Sequence, residues 1–257
     1  MLLRAIIDSI ESVAPLSYQE EWDNSGMQVG DPGTDVRTVL LTTDVTESVV
    51  DEAIMLGCEL IVSHHPLLFH GLKQVCGQTP QARMVEKAIK HGIAIYSSHT
   101  SMDSWLDGVS GRIAKKIGIN DSRILVASGE GYGLGVIGEL PEELDFEAFV
   151  DLVKQRMEAP WVRYIHSRKT GVKRIAICGG AGAEFIEEAI SQGADVYVTA
   201  DCKYHEFQAA EGRIGVVDMD HWVSEHFTRE IFAEILAPLG LKCIISKADA
   251  SPVIMKN

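Results

Sequence analysis

The 257-residue chain has no apolar run approaching the roughly 20 residues needed to cross a bilayer. It has no C-x-x-C pair either. Its five cysteines, Cys58, Cys76, Cys178, Cys202 and Cys243, are scattered and odd in number. That excludes a disulfide framework and suits reduced thiols in a cytoplasmic protein. Cys202 reads as a small, half-buried filler. Positive charge is scarce: 23 Lys and Arg stand against 37 Asp and Glu, a net charge of −14. Such a surface repels nucleic-acid backbone and anionic membranes. The stretch Met1–Asp8 is expected to be an amphipathic helix, whereas a secretory signal would have a longer apolar region and a small-residue cleavage site. A chain of this length is able to bury one large core or two medium ones.

What is present is an internal repeat. Residues 36–63 align without a gap on 172–199 at an offset of 136 (175 − 39 for Ile175 on Val39, 193 − 57 for Gly193 on Gly57). Each copy reads strand, amphipathic helix, Gly stop, strand, and the strands are continuous apolar runs such as Leu60-Ile61-Val62, as a parallel sheet requires. The first copy continues into a helix over Gln81–Lys90 and a strand over Ile93–Tyr96. The second continues into a helical stretch around Phe207–Glu211 and a strand over Ile214–Val217. The fold expected is α/β: two linked α/β domains related by the repeat, each a largely parallel sheet flanked by helices. The Gly-rich segment Ala127–Gly135 reads as a linker, Pro141-Glu142-Glu143-Leu144 as the opening of a helix, and Ser224–Leu236 as one long helix before a final strand over Leu241–Ser246. The last segment is expected to rejoin the first domain. The domain expectation is therefore a metal-binding domain of residues 1–126 plus 218–257, with 127–217 inserted.

The chemistry sits at the strand ends, where open α/β sheets place their ligands. His64-His65 follows the strand ending at Ser63. His99 and Asp103, and likewise His221 and Glu225, form two His-x-x-x-carboxylate stretches at similar places in the two copies. Imidazoles and carboxylates gathered there are what a divalent metal needs. A carboxylate such as Asp103 or Glu225 is able to bridge two cations. His99 is read as orienting Asp103 rather than as a ligand. His205, in Thr199–His205, is a candidate proton shuttle. Gly179-Gly180-Ala181-Gly182 reads as a tight strand-to-helix turn rather than a phosphate nest. Glu21–Gly26 reads as a specific loop with Asx-type bonding.

Several stretches together carry a resemblance: Trp22–Gly30, Ser63-His64-His65-Pro66-Leu67, His99-Thr100-x-x-Asp103, Gly131–Gly135, Gly193-Ala194-Asp195 with Tyr197 and Thr199, and His221-x-x-x-Glu225. Their set and order resemble the Nif-three-like family, the GTP cyclohydrolase 1 type 2 homologues, across most of the chain. The resemblance implies a dinuclear divalent-metal centre with His64, His65, Asp103, His221 and Glu225 as ligands. It also implies two metal ions per subunit, with zinc, iron or manganese leading, and a homohexamer. The chain departs from the family pattern at Asp220-His221, at Thr199-Ala200-Asp201 and at Val109–Arg112, which lacks an Asn. The function expected is a metal-dependent hydrolase on a small nucleotide-like substrate, with metal-bound water as nucleophile. The alternative is a non-catalytic metal-handling or scaffold/interaction protein.

Overall fold

The computed structural model describes residues 1–254. In chain order its elements are α1 (Leu3–Glu11), β1 (Gly26–Val29), β2 (Thr38–Thr42), α2 (Glu47–Leu56), β3 (Leu60–Ser63), α3 (Pro80–Lys90), β4 (Ala94–Ser97) and α4 (Thr100–Asp103). There follow α5 (Val109–Lys116), β5 (Ser122–Gly129), β6 (Tyr132–Asp145), α6 (Phe146–Arg156), β7 (Val162–Ile165), β8 (Gly171–Ala181), α7 (Ile186–Ser191) and β9 (Val196–Ala200). The chain closes with α8 (Tyr204–Ala210), β10 (Gly215–Met219), α9 (His221–Glu225), α10 (Thr228–Leu236) and β11 (Lys242–Ile245). The fold is mixed α/β, two sheets flanked by helices. No helix among the described residues is long and apolar enough to cross a membrane.

Contacts group the described residues into two compact units, residues 1–102 with 226–252, and residues 103–225 with 253–254. Positions 126/127 and 217/218, where the sequence suggested an insert, lie inside β5 and β10.

The first unit is built on a five-stranded sheet in the order β1-β4-β3-β2-β11. β2, β3, β4 and β11 run parallel, and β1 closes one edge antiparallel. Helix α2 starts where the Thr46 side chain accepts the Val49 N–H and stops at left-handed Gly57, the N-cap and C-cap chemistry expected of those residues. Thr79 and Pro80 open α3 in the same way. Leu40, Ile61 and Ile95 of the parallel strands pack with Val49, Val50 and Ala53 of α2 and Met84, Val85 and Ala88 of α3.

The second unit is a six-stranded mixed sheet in the order β5-β6-β8-β9-β10-β7. Its centre, β8-β9-β10, is parallel, and antiparallel strands flank it. The Gly-rich segment is not a linker. Residues 127–135 belong to the β5–β6 hairpin, with Ala127 opposite Gly133. Pro141 does not open a helix either: it lies in β6 where the pairing with β8 is interrupted between Glu139 and Leu144, a place that tolerates a missing N–H. Helix α6 starts later, with the Asp145 side chain accepting the Glu147 N–H at 3.0 Å. The expected long helix 224–236 is broken into α9 and α10.

The repeat is visible at atomic scale. Glu59 Oε2 accepts the Arg37 and Thr38 N–H groups at 3.1 and 2.9 Å. Asp195 Oδ2, 136 residues on (195 − 59), accepts those of Lys173 and Arg174 at 3.0 and 2.9 Å. Each carboxylate ties the end of one helix–strand turn to the start of the neighbouring strand. The correspondence extends beyond the sequence match, since β7 is β1 shifted by 136 (162 − 26) and both are antiparallel edge strands.

Candidate metal centre

In the first unit His64 and His65 lie just past the carboxyl end of β3, and His99 lies just past that of β4. The pairing of β3 with β4 brings these ends together. One ring nitrogen from each of the three falls within a 4.8 Å group able to hold a metal ion. The rings of His64 and His65 each meet His99 edge-on at 5.4 Å. His64 is fully buried, and His65 and His99 are partly exposed.

Each imidazole is oriented through Nδ1. His64 Nδ1 donates to the Ser98 carbonyl at 3.0 Å. His65 Nδ1 donates to Asp44 Oδ1 at 2.8 Å, and His99 Nδ1 to Asp23 Oδ1 at 2.8 Å. A proton fixed on Nδ1 puts the lone pair on Nε2 and raises its basicity, the arrangement of metal-ligating histidines.

Asp23 belongs to the loop that sequence reading left unassigned. Besides His99 it accepts from Ser25 Oγ at 2.7 Å and Thr100 Oγ1 at 2.6 Å. Burial works against its charge, but the His99, Thr100 and Ser25 donors win and hold its carboxyl well below the usual range. Gly30, at the end of the same motif, has φ +112, and a Cβ there would lie 2.7 Å from the Ala94 Cβ on β4. Only glycine lets the motif pass that close to the strand leading to His99.

In the second unit the α9 turn carries His221 and Glu225. His221 Nδ1 donates to Asp201 Oδ2 at 2.8 Å, and His221 Nε2 lies 3.0 Å from Glu225 Oε2. Burial alone would lower the His221 pKa, but the Glu225 and Asp201 carboxylates outweigh it and push it up to about 11. Glu225 is 3 % exposed, and a carboxylate that deep needs a cation beside it. His221 supplies one as imidazolium, and a divalent metal on the same oxygens would replace that charge.

Asp201, a non-glycine residue at φ +57, is held there by its neighbours. Asp218 Oδ2 accepts the Cys202 N–H at 2.6 Å, and Arg163 spans Asp218 Oδ1 and the Cys202 carbonyl. The Cys202 thiol is buried in that turn.

Asp103 stands at the end of α4. Cys178 is pushed up to about 12, first by burial and then by the Asp103 charge, with Glu225 adding to it. Gly179, Gly180 and Ala181 end β8, and Gly182 leads into the 3-10 turn Ala183–Phe185 before α7, the strand-to-helix turn expected. At Gly180, with φ +67, a Cβ would sit 2.2 Å from Glu225 Oε1. Position 180 is glycine because the carboxylate occupies that space. His205 faces along its own helix, with Nδ1 3.2 Å from Gln208 Oε1, and is exposed.

The residues that sequence reading missed are the partners of the imidazoles. Asp44 was not singled out, although a carboxylate at the carboxyl end of a parallel strand was a usable signal. Imidazole nitrogens and carboxylate oxygens are donors that fit a divalent metal ion.

A GTP cyclohydrolase 1 type 2 homolog of Clostridium perfringens is 34% identical over 228 residues, 88% of this chain and 87% of the relative. A Staphylococcus aureus hypothetical protein superposes with a TM-score of 0.92 at 26% identity, covering 100% of this chain and 99% of the other. A Bacillus cereus protein related to NIF3 does so with a TM-score of 0.90 at 25% identity, covering 100% and 99%. With the family model of Duf34/NIF3 (NGG1p interacting factor 3) matching from residue 1 to residue 252, the chain belongs to that family.

Proposed function

We propose that this chain is a dinuclear divalent-metal hydrolase acting on a small nucleotide-like substrate. His64, His65, Asp103, His221 and Glu225 hold the two ions, which are zinc, iron or manganese. The observation that carries the reading is the common treatment of His64, His65 and His221. Each gives Nδ1 to a carbonyl or carboxylate oxygen at 2.8–3.0 Å, as metal-bound imidazoles do. The name borne by the relatives, GTP cyclohydrolase 1 type 2 homolog, supports a nucleotide-like substrate.

When bound, a divalent metal lowers the pKa of its water from near 16 towards about 7 and so supplies a nucleophile at neutral pH. The chain's own part is positioning and charge. Ser98, Asp44 and Asp201 fix the imidazole tautomers and keep the rings from rotating. Asp103 and Glu225 supply negative charge that balances two cations. Asp23 fixes His99 beside His64 and His65. We also propose that the protein is cytoplasmic and assembles as a homohexamer.

The test is metal analysis of protein purified without chelator or affinity metal, followed by turnover assays on nucleotides, phosphoesters and peptides. About two ions per chain and a hydrolytic activity are expected, both lost in the His65→Ala/Glu225→Ala double variant. Metal-free wild-type protein, or turnover that survives the double variant, would sink the reading.

A further inference from the structure

Trp22 and Phe69 are large aromatics left in the open, 58 % and 42 % exposed. They are not scattered. Their ring centroids lie 5.8 Å apart at an interplanar angle of 47°. Trp22 meets the His99 ring edge-on at 5.9 Å, and Phe69 meets it at 6.2 Å. The pair thus forms a corner against the histidine cluster.

The corner is built before any ligand arrives. Trp22 and Phe69 sit on two different loops that are tied by hydrogen bonds. Asn24 Nδ2 donates to the Leu68 carbonyl at 2.7 Å. The Leu68 N–H donates to Gln28 Oε1 at 3.1 Å, and Gln28 Nε2 donates to the Asn24 carbonyl at 2.7 Å. Next to Trp22, the Asp23 carboxylate is locked onto His99, Ser25 and Thr100. A preorganised aromatic face binds without first having to be ordered, and exposed tryptophan is the strongest stacking surface a protein offers to a flat ring.

We propose that Trp22 and Phe69 form a stacking wall for the flat heteroaromatic ring of a small ligand, of nucleobase size, bound beside His64, His65 and His99. Stacking requires only a π-face, so the wall accepts different bases and favours purines, which cover more of it. The inference deepens the nucleotide-like reading above and rests on it for the reaction, but not for binding.

The test is isothermal titration of the full chain with guanosine, and with ribose as the control lacking a ring, in both metal-loaded and chelator-stripped protein. Guanosine is expected to bind saturably and ribose not. Trp22→Ala and Phe69→Leu are expected to weaken guanosine by about tenfold or more. Trp22→Phe is expected to retain most of the affinity, with metal content and melting temperature unchanged throughout. If Trp22→Ala does not fold, Phe69→Leu carries the same comparison. Guanosine that fails to bind wild-type protein at millimolar concentration overturns the wall, as does binding unchanged in both Trp22→Ala and Phe69→Leu. A change of oligomer size in Trp22→Ala with guanosine affinity intact also overturns it and assigns the aromatics to contacts between copies. Wild-type protein that holds no metal but still binds guanosine through Trp22 defeats the hydrolase reading alone.

Discussion

At the residue scale, the second unit shows how one missing side chain makes room for function. Gly180 has a left-handed backbone, and a Cβ there would collide with Glu225 Oε1. Gly180→Ala is expected to cost about 1–3 kcal/mol through backbone strain and overpacking, and to lower metal content by displacing Glu225. Thermal melts and elemental analysis of the same preparation check both. In the first unit, Asp23→Asn leaves His99 Nδ1, Ser25 Oγ, Thr100 Oγ1 and the Thr100 N–H short of a charged acceptor. A loss of about 2–3 kcal/mol is expected in urea unfolding, as for other buried hydrogen bonds to a charge. The strand-end placement of His64, His65 and His221 was legible in the sequence, because buried parallel strands read as apolar runs whose ends are plain. The pairing of Asp44 with His65 was not legible, because nothing local links that carboxylate to an imidazole 21 residues on.

At the element scale, the Asp195 clamp, which repeats the one at Glu59, carries a pH signature. Burial opposes the Asp195 charge, but Lys169 and the Arg174 and Lys173 N–H groups outweigh it and hold its pKa below the ordinary value. A depressed carboxyl stabilises the fold above its unfolded pKa of about 3.9, and that stabilisation disappears as the pH falls through the folded value. Asp195→Asn is therefore expected to be about 1–3 kcal/mol less stable than wild type at pH 7, with the gap closing below about pH 4. Urea melts across pH 3–7 measure it; a gap independent of pH would refute the assignment. The repeat itself was readable because buried parallel strands are continuous apolar runs. The β5–β6 hairpin was not, because its glycines serve an antiparallel turn and look, in sequence, like a linker. Pro141 misled for a related reason: an interrupted ladder tolerates proline as readily as a helix start does.

At the scale of the whole molecule, ligand linkage gives the broadest check. Ions that bind only the folded chain add about 2.7 kcal/mol when present at 100 times their dissociation constant. Chelation is thus expected to lower the melting temperature by several degrees, with recovery on adding back zinc, iron or manganese. A melt unaffected by chelator would argue against bound metal. The distribution of thiols has a practical consequence. Cys58, Cys178 and Cys202 are buried, with burial as the first cause of their raised pKa values, and Cys243 is half-buried and raised for the same reason. Cys76 alone of the five is exposed, on the loop between β3 and α3 that also carries Phe69. The thiolate is the form that alkylates, so a maleimide dye at neutral pH should attach there first, giving one adduct by mass spectrometry. The wild-type chain therefore carries its own attachment point for a fluorescent reporter a few residues from the aromatic corner.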